Sequence, residues 1–387
     1  MNIRKDLAEA NRLVFLRKDI EAIEIYEKYY KENPEVFTKR DRISYAWAIY
    51  RTHIKDNVDE YELFDFTEFI TELTDQSDLN KVSTCPYTFS IFKVMDKLKN
   101  QEDFFNLVYW IGKIDPDLLN QNKSSSNGRA SKSRKEKYFE YASKTYLALQ
   151  DYEECIEISK MALESIFRFA NDGDTWHRRR IAKSLHELDQ HEEALMYLNE
   201  VVKVKQDWYI YREIAENHFA LGNQEEALKN ICEAVLAKGP VDKKVNLYGL
   251  VYSVLKDSDP EIALRHAELY YLLKLENGSR NILEEIENLD IDEDTLEMFN
   301  LTAQIKDYWM KFKFKDKELQ YGTITRFFED KNYGFIRTDD DKSLFFHRKE
   351  FKGDTIYVGQ LVSFYTEKRF DKSKNRESLN AVNIRGE

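Results

Sequence analysis

The stretch YGTITRFFEDKNYGFIRTDDDKSLFFH, from Tyr321 to His347, decides the fold of the C-terminal part of the chain. Apolar and polar residues alternate in three short runs, and polar segments rich in Asp separate the runs. Alternation with a period of two residues is typical of β-strands. We therefore predict strands at 322–328, 333–337 and 343–347, with turns that contain 330–332 and 339–341.

Side chains alternate across a strand, so two of these strands each present an aromatic face. Tyr333, Phe335 and Arg337 share one face of the second strand, and Phe345 and His347 share one face of the third. Aromatic rings stack on unpaired bases, and interleaved cations contact phosphates. The pattern therefore predicts a binding site for single-stranded nucleic acid.

The same residues resemble the cold-shock domain. The run KNYGFI at 331–336 is similar to the first ribonucleoprotein motif of that family, and LFFH at 344–347 to the second. The resemblance continues through GQLVSF at 359–364 and SLNAVNI at 378–384, which are similar to the fourth and fifth strands. It implies a five-stranded OB-type barrel that binds single-stranded RNA or DNA. The nucleic-acid contacts that it implies are Phe327, Tyr333, Phe335, Phe345 and His347, to which we add the cations Arg326 and Lys331.

Two residues depart from the family pattern. Arg326 occupies the position of a tryptophan in the first strand, and Asn332 occupies that of a glycine. A guanidinium also stacks on bases, so Arg326 is compatible with the expected contact. The alternative is a barrel that has lost nucleic acid and serves only for docking.

Composition predicts a helical body for the rest of the chain. The 387 residues include only 12 Gly and 5 Pro, too few to punctuate many short strands. The formal net charge of -12 excludes indiscriminate nucleic-acid binding over the whole surface. From Lys311 onward, however, 17 Lys and Arg outnumber 13 Asp and Glu, so the C-terminal end is the cationic end.

A repeat runs through the N-terminal part. Glu-Glu-Ala-Leu at 192–195 returns at 225–228, and a small residue stands twelve positions before each of these alanines. Small residues at this spacing allow two antiparallel helices to pack closely across a short turn. The pattern resembles tetratricopeptide (TPR) repeats, at 137–238 and 1–34, and we predict further hairpins at 87–115 and 243–275. The small pairs are Ala10 and Ala22, Ser143 and Cys155, Ala182 and Ala194, and Ala215 and Ala227.

The predicted fold class is mainly α, a TPR-like helical-repeat α-solenoid followed by a small all-β OB-fold (cold-shock-like) barrel. The solenoid is predicted at 1–276 and the barrel at 318–387. Between them, 277–317 is predicted to be an acidic helical linker with a basic lead-in. The acids at 284–297, eight in number, predict a charged helix or helix pair, and WMKFKFK at 309–315 predicts a strand or extended lead.

Residues 120–137 contain six basic residues and one acid among many serines. This composition predicts an exposed basic loop, either an arm that contacts phosphates or an insertion between helices.

The TPR resemblance also implies which residues line the concave groove of the solenoid. The groove is suited to an acidic peptide of a protein partner or to a nucleic-acid backbone, and the alternative is a solvated basic helix face. The implied positions are Lys137, Lys144, Trp176, Arg179, Lys183, Tyr209, Arg212 and Phe219.

The sequence contains no catalytic, nucleotide-binding or metal-binding motif, and its three cysteines are far apart. We therefore expect a non-enzymatic cytoplasmic adaptor without cofactor or metal, which binds single-stranded nucleic acid, with RNA favoured, and a protein partner. The alternatives are a pure interaction scaffold and, by analogy of architecture, a regulatory subunit of an effector or nuclease complex such as those of bacterial defence.

Overall fold

The computed structural model describes residues 3–56, 59–78, 85–121, 125–126, 129–279, 281–293, 296–371 and 376–387. The chain divides into two units. The first comprises Met1–Gln206 and Glu216–Asn223, and the second comprises Asp207–Ala215 and Gln224–Glu387. The predicted fold class, TPR-like helical hairpins followed by a five-stranded barrel, is confirmed.

Successive helices of the first unit pack against one another along the chain. Their starts are set by local sequence signals. For example, Ser133 caps the backbone N–H of Glu136, and the Glu136 carboxylate accepts the Ser133 N–H in return. The helices are α1 (Ile3–Phe15), α2 (Asp19–Tyr30), α3 (Lys39–Ile49), α4 (Glu60–Leu73), α5 (Pro86–Gln101), α6 (Phe104–Gly112), α7 (Arg134–Ala148), α8 (Tyr152–Ser165), α9 (Gly173–Glu187) and α10 (His191–Val204).

The second unit contains the remaining helices, whose apolar residues form a separate core. Helix α11 is shared, because its N-terminal part belongs to the second unit and its C-terminal part to the first. The helices are α11 (Trp208–Ala220), α12 (Gln224–Leu236), α13 (Val245–Leu255), α14 (Pro260–Glu276), α15 (Glu284–Glu287) and α16 (Met298–Phe314).

The small residues spaced by twelve lie at helix contacts, as their spacing predicted. All eight are at most 1% exposed. In the α7–α8 hairpin the Cys155 thiol donates a hydrogen bond to the Ser143 carbonyl oxygen at 3.2 Å, so the two helices are close enough for backbone contact. The predicted hairpins at 87–115 and 243–275 correspond to α5–α6 and α13–α14.

Residues 309–315 are helical, so the predicted strand or extended lead is wrong. They form the C-terminal part of α16, where Leu301, Ile305 and Trp309 recur at helical spacing and are buried. Helical periodicity over the whole segment therefore outweighs the short apolar–basic alternation. Lys313, at the end of this helix, lies 3.0 Å from Glu233 of α12 and 3.4 Å from Glu367 of the barrel.

The acidic stretch 284–297 is less helical than predicted. Among the described residues, which leave out 294–295, the short helix α15 and a 3-10 residue at 293 are the helical positions before α16 begins. Its apolar residues explain the difference, because Ile286 is fully buried and Leu289 and Ile291 pack on the same core. Lys256 holds Glu285 at 2.9 Å, and the Tyr271 hydroxyl donates to Glu293 at 2.6 Å.

The predicted exposed basic loop is wrong at its C-terminal end. Arg134 begins α7, with its guanidinium 3.8 Å from the centroid of the Phe89 ring, and Lys135 is buried. The capping box at Ser133 starts the helix earlier than composition suggested. Backbone pairing joins 125–126 to 129–130, whereas 122–124 and 127–128 lie outside the described residues.

Five strands of the second unit form a closed barrel in the order β1-β2-β3-β5-β4. Apolar side chains of every strand fill its interior, including Ile324, Ile336, Phe346 and Phe364, all fully buried. The strands are β1 (Gln320–Phe328), β2 (Tyr333–Thr338), β3 (Ser343–His347), β4 (Leu361–Asp371) and β5 (Arg376–Gly386).

A buried hydrogen bond joins α14 to α16 in the helical core of the second unit. The Trp309 Nε1–H donates to His266 Nε2 at 3.0 Å, and His266 Nδ1–H donates to the Ile262 carbonyl oxygen at 2.7 Å. The His266 ring is therefore neutral, with its proton on Nδ1. Burial lowers the pKa of His266 from 6.5 to about 4, against the opposing effect of the Ile262 bond.

We expect His266 to make the protein acid-labile. Because its folded pKa lies below the unfolded value, its contribution to stability is complete above pH 6.5 and is lost as pH falls through about 4. The loss is on the order of 3 kcal/mol. Urea unfolding at several pH values should show a smaller acid-induced loss of stability in His266→Gln than in the wild type. His347→Gln, at an exposed position, is the control and should follow the wild type.

Candidate nucleic-acid interface

The first three barrel strands present a cluster of aromatic side chains on their outer face. The register pairs Phe335 with Phe345 and Tyr333 with His347 across β2 and β3. The rings of Tyr333, Phe335 and Phe345 are half-buried. The intervening Gly334, Ile336 and Phe346 are buried toward the interior. The strand alternation predicted from the sequence is thus the one observed.

We call Phe328, Tyr333, Phe335 and Phe345 the aromatic platform. Tyr333 lies at its centre, with ring centroids 5.0 Å from Phe328, 5.9 Å from Phe335 and 5.4 Å from Phe345. The rings of Phe335 and Phe345 meet edge to face at 5.9 Å. The rings support one another and leave faces for a planar ligand.

A bulge in β1 changes which phenylalanine joins the platform. The register of β1 against β2 shifts between Ile324 and Arg326, so Phe327 pairs with Gly334 and Phe328 with Tyr333. Phe327, predicted as a base contact, packs on the core with its ring parallel to that of Phe346 at 6.1 Å. Phe328, which the sequence analysis did not select, faces the platform instead. Plain alternation along the strand could not reveal this shift.

Cations border the platform. Arg326 is exposed and pairs with Phe335 in the β1–β2 register, so it lies beside the platform where the family has tryptophan. The Lys331 ammonium lies 6.0 Å from the Phe328 ring centroid, and His347 is exposed next to Tyr333. The arrangement combines π-faces with positive charge, which suits unpaired nucleotides.

Asn332, in place of the family's glycine, has a left-handed backbone conformation, which glycine also adopts without strain. Its φ of 54° is left-handed, a conformation that asparagine tolerates better than most residues. The left-handed residue ends the turn directly before Tyr333, the first residue of β2.

Helix α16 connects the barrel to the helical core of the same unit. The Phe314 ring stacks on that of Tyr365 in β4 at 4.4 Å, with 13° between the planes. Burial acts to lower the pKa of Lys313, but Glu233 and Glu367 raise it above its ordinary value. Lys313 therefore joins α12 and β4 as a charged bridge.

The residues predicted to line a helical groove fall in both units. Lys144, Trp176 and Arg179 come together in the first unit, in a pocket of about 260 Å³ between α7 and α9. Lys137, Lys183 and Phe219 lie in the first unit too but do not line that pocket, and Tyr209 and Arg212 lie in the second. Sequence analysis missed the buried lining residues His177 and Arg180, because their helix positions gave no sign that they face a cavity.

No set of three or more His, Cys, Asp or Glu side chains is placed to bind a metal ion within the described ranges. The three cysteines are buried free thiols. In the same part of the chain, the helices are all too short or too polar to cross a bilayer.

Comparison with known families identifies the barrel. Residues 320–385 match the "'Cold-shock' DNA-binding domain" family, so the barrel is a cold-shock domain, as its motifs predicted. This domain indicates nucleic-acid binding. No curated protein matches the chain.

Several solved structures are similar to this chain at low sequence identity. The apo form of RapI is 15% identical, with 81% of this chain and 88% of that chain covered and a TM-score of 0.42. BtubC from P. vanneervenii is 13% identical, with 76% and 99% covered and a TM-score of 0.37. MamA from Desulfovibrio magneticus RS-1 is 13% identical, with 49% and 96% covered and a TM-score of 0.37. Similarity this distant says nothing about function.

Gly334 separates the platform from the barrel core. A Cβ at this position would lie 2.5 Å from the Phe346 ring and 2.6 Å from the Arg326 carbonyl oxygen. We expect Gly334→Ala to destabilise the barrel by about 1–3 kcal/mol through overpacking. Gly112→Ala is the control, because a Cβ there has nothing within 4 Å. Thermal unfolding of both variants tests the assignment, and an unchanged Gly334→Ala would contradict it.

Proposed function

We propose that the protein is a non-enzymatic adaptor whose barrel binds single-stranded nucleic acid, RNA in preference to DNA, and whose helical hairpins bind a protein partner. The observation that carries the first part is the aromatic platform with Arg326 and Lys331 at its border. Such rings stack on bases that are already unpaired, so single strands fit the surface and duplexes do not.

The proposed protein partner rests on the repeat fold. Stacked helical hairpins present extended surfaces, which many repeat proteins use to bind peptides or folded partners. The absence of catalytic motifs from the sequence supports an adaptor over an enzyme. A pull-down of the full chain, analysed for bound proteins and for nucleic acid, tests both parts of this proposal together.

The platform rings should dominate affinity for single strands. We expect Phe335→Ala and Phe345→Ala each to weaken binding of an unstructured oligonucleotide by about 1–3 kcal/mol, the range for a stacked base. Fluorescence anisotropy with the full-length protein measures this effect. RNA and DNA of the same sequence give the preference between the two sugars.

Two comparisons make the platform test decisive. Exposed Tyr357→Ala, on the same barrel but outside the platform, should bind like the wild type. A duplex of equal length should bind more weakly than the single strand. Equal affinity for both forms, or no loss in the two phenylalanine variants while the barrel stays folded, would refute base stacking.

Arg326 should contribute charge as well as stacking. If its guanidinium contacts a phosphate, Arg326→Met should reduce the slope of log affinity against log salt by about 0.7, the value for one contact to a single strand. Phe335→Ala should lower affinity without changing this slope. A salt titration of the two variants against the wild type tests the assignment, and equal slopes in all three proteins would exclude a phosphate contact at Arg326.

A further inference from the structure

A second candidate site lies in the first helical unit, in the pocket between α7 and α9, which we call the α7–α9 pocket. Its volume is about 260 Å³. That is close to the lower end of the range for small-molecule sites, roughly 300–1,000 Å³. The titratable side chains that line it are Lys132, Glu136, Glu140, Lys144, His177, Arg179 and Arg180.

Both carboxylates of the pocket already have partners. Glu140 accepts hydrogen bonds from Lys132 at 2.5 Å and from Lys144 at 2.6 Å. Burial acts to raise the pKa of Glu140, but the two lysines lower it to about 2. Glu136 accepts the backbone N–H groups of Ser133 at 2.7 Å and of Ala170 at 2.5 Å. Both carboxylates therefore have close hydrogen-bond donors, and Glu140 also attracts the guanidinium of Arg180.

Among the cations that line the pocket, Arg180 is the buried one. It is only 8% exposed, and its Nε has no hydrogen-bond partner within the part of the chain that the structure describes. Burial lowers the pKa of Arg180 to about 10, against the opposing attraction of Glu140. A buried donor without an acceptor costs stability, so a ligand that gives Nε an acceptor and adds negative charge would bind favourably here.

His177 adds a second unsatisfied group in the same cavity. It is 2% exposed, and its Nδ1 likewise has no partner among the described residues. Burial lowers the pKa of His177 to about 2, so the ring is neutral at physiological pH. A neutral imidazole can donate a hydrogen bond to an anion from one of its ring nitrogens.

We propose that the α7–α9 pocket binds the phosphate group of a nucleotide, either a free 5′-mononucleotide or the 5′-phosphorylated end of a strand. Four cations against two carboxylates give the lining a formal charge of about +2, which matches a phosphate monoester dianion. A peptide carboxylate carries half that charge.

The pocket also has room for more than a phosphate. The Trp176 ring lines it and is half-buried, with the Arg179 guanidinium 5.8 Å from the ring centroid. An indole and a guanidinium can both stack on a base, so the wall next to the cations suits the rest of a nucleotide. This site belongs to the helical unit and does not depend on the function proposed for the barrel.

Calorimetry with the full-length protein tests the proposal. We expect adenosine 5′-monophosphate to bind at least about tenfold more tightly than adenosine, because only the former carries the charge-assisted hydrogen-bond acceptors. Equal affinity for the two compounds, or no binding of the nucleotide at millimolar concentration, would overturn the assignment. So would an acidic hexapeptide that binds more tightly than the nucleotide.

Binding of oligonucleotides to the Phe335→Ala, Phe345→Ala double variant distinguishes a free nucleotide from a strand end as the source of the phosphate. The double variant is used because it weakens binding by the barrel. A 5′-phosphorylated strand that binds more tightly than adenosine 5′-monophosphate identifies a strand end, and the reverse order identifies a free nucleotide. Binding in the pocket should persist on this background, so failure of the barrel function and failure of this site are distinguishable.

Variants of adjacent arginines on α9 give a matched comparison. Arg179→Gln should weaken nucleotide binding by at least about tenfold. Arg178→Gln should stay within about twofold of the wild type, because Arg178 pairs with Asp174 at 2.5 Å and does not line the pocket. Equal losses in both variants would indicate a general effect of charge and would contradict a specific site.

Arg180→Met separates binding from structure. Removing a buried guanidinium whose Nε is unsatisfied should leave the ligand-free melting temperature unchanged or raised, while nucleotide binding is lost. A lower melting temperature with unchanged nucleotide affinity would show that Arg180 is only structural and would overturn the proposal. If this variant does not fold, Arg179→Gln decides, since Arg179 is only half-buried.

Discussion

The buried hydrogen bond between Trp309 and His266 determines how the second unit is built. Trp309 is fully buried, and its indole N–H can be satisfied in the core only by an acceptor such as His266 Nε2. This bond lies in the buried stripe of Leu301, Ile305 and Trp309, which sets the rotation of α16 about its own axis. One turn later, the same rotation directs Lys313 toward Glu233 and Glu367 and sets Phe314 against Tyr365. The barrel is therefore attached to α16 close to the point where this helix is anchored in the core.

Within the barrel, strand β2 has aromatic rings packed on both of its faces. β2 carries Tyr333 and Phe335 outward, while the ring of Phe346 from β3 crosses the inner side of Gly334. The missing side chain at Gly334 lets the inner ring approach closely without displacing the outer ones. The bulge in β1 then turns Phe327 inward to cover Phe346 and Phe328 outward to extend the platform. Core packing and the exposed binding surface are thus produced by the same few residues.

The sequence predicted those features that depend on local pattern. Strand alternation located the platform, and small residues twelve apart located the helix contacts, because both follow from fixed geometry. It did not predict the exchange of Phe327 and Phe328, since a bulge changes the register without a clear sequence signal. It also misassigned 309–315, where an alternation of seven residues concealed a helix whose buried side chains begin at Leu301. The burial of Arg180 with an unsatisfied Nε depends on tertiary packing, so helical periodicity alone could not identify it.

The two candidate sites use different physics, which explains why an acidic protein can carry both. Stacking on the platform requires exposed rings and is little affected by the chain's formal charge of -12. Arg326 in place of tryptophan adds a local cation at the platform, where it acts at short range despite that charge. In the α7–α9 pocket the acids are held by lysines and backbone N–H groups, and Arg180 is shielded from water. Low local dielectric strengthens the attraction of such a buried cation for an anion, so the pocket can select a phosphate that the acidic surface as a whole would repel.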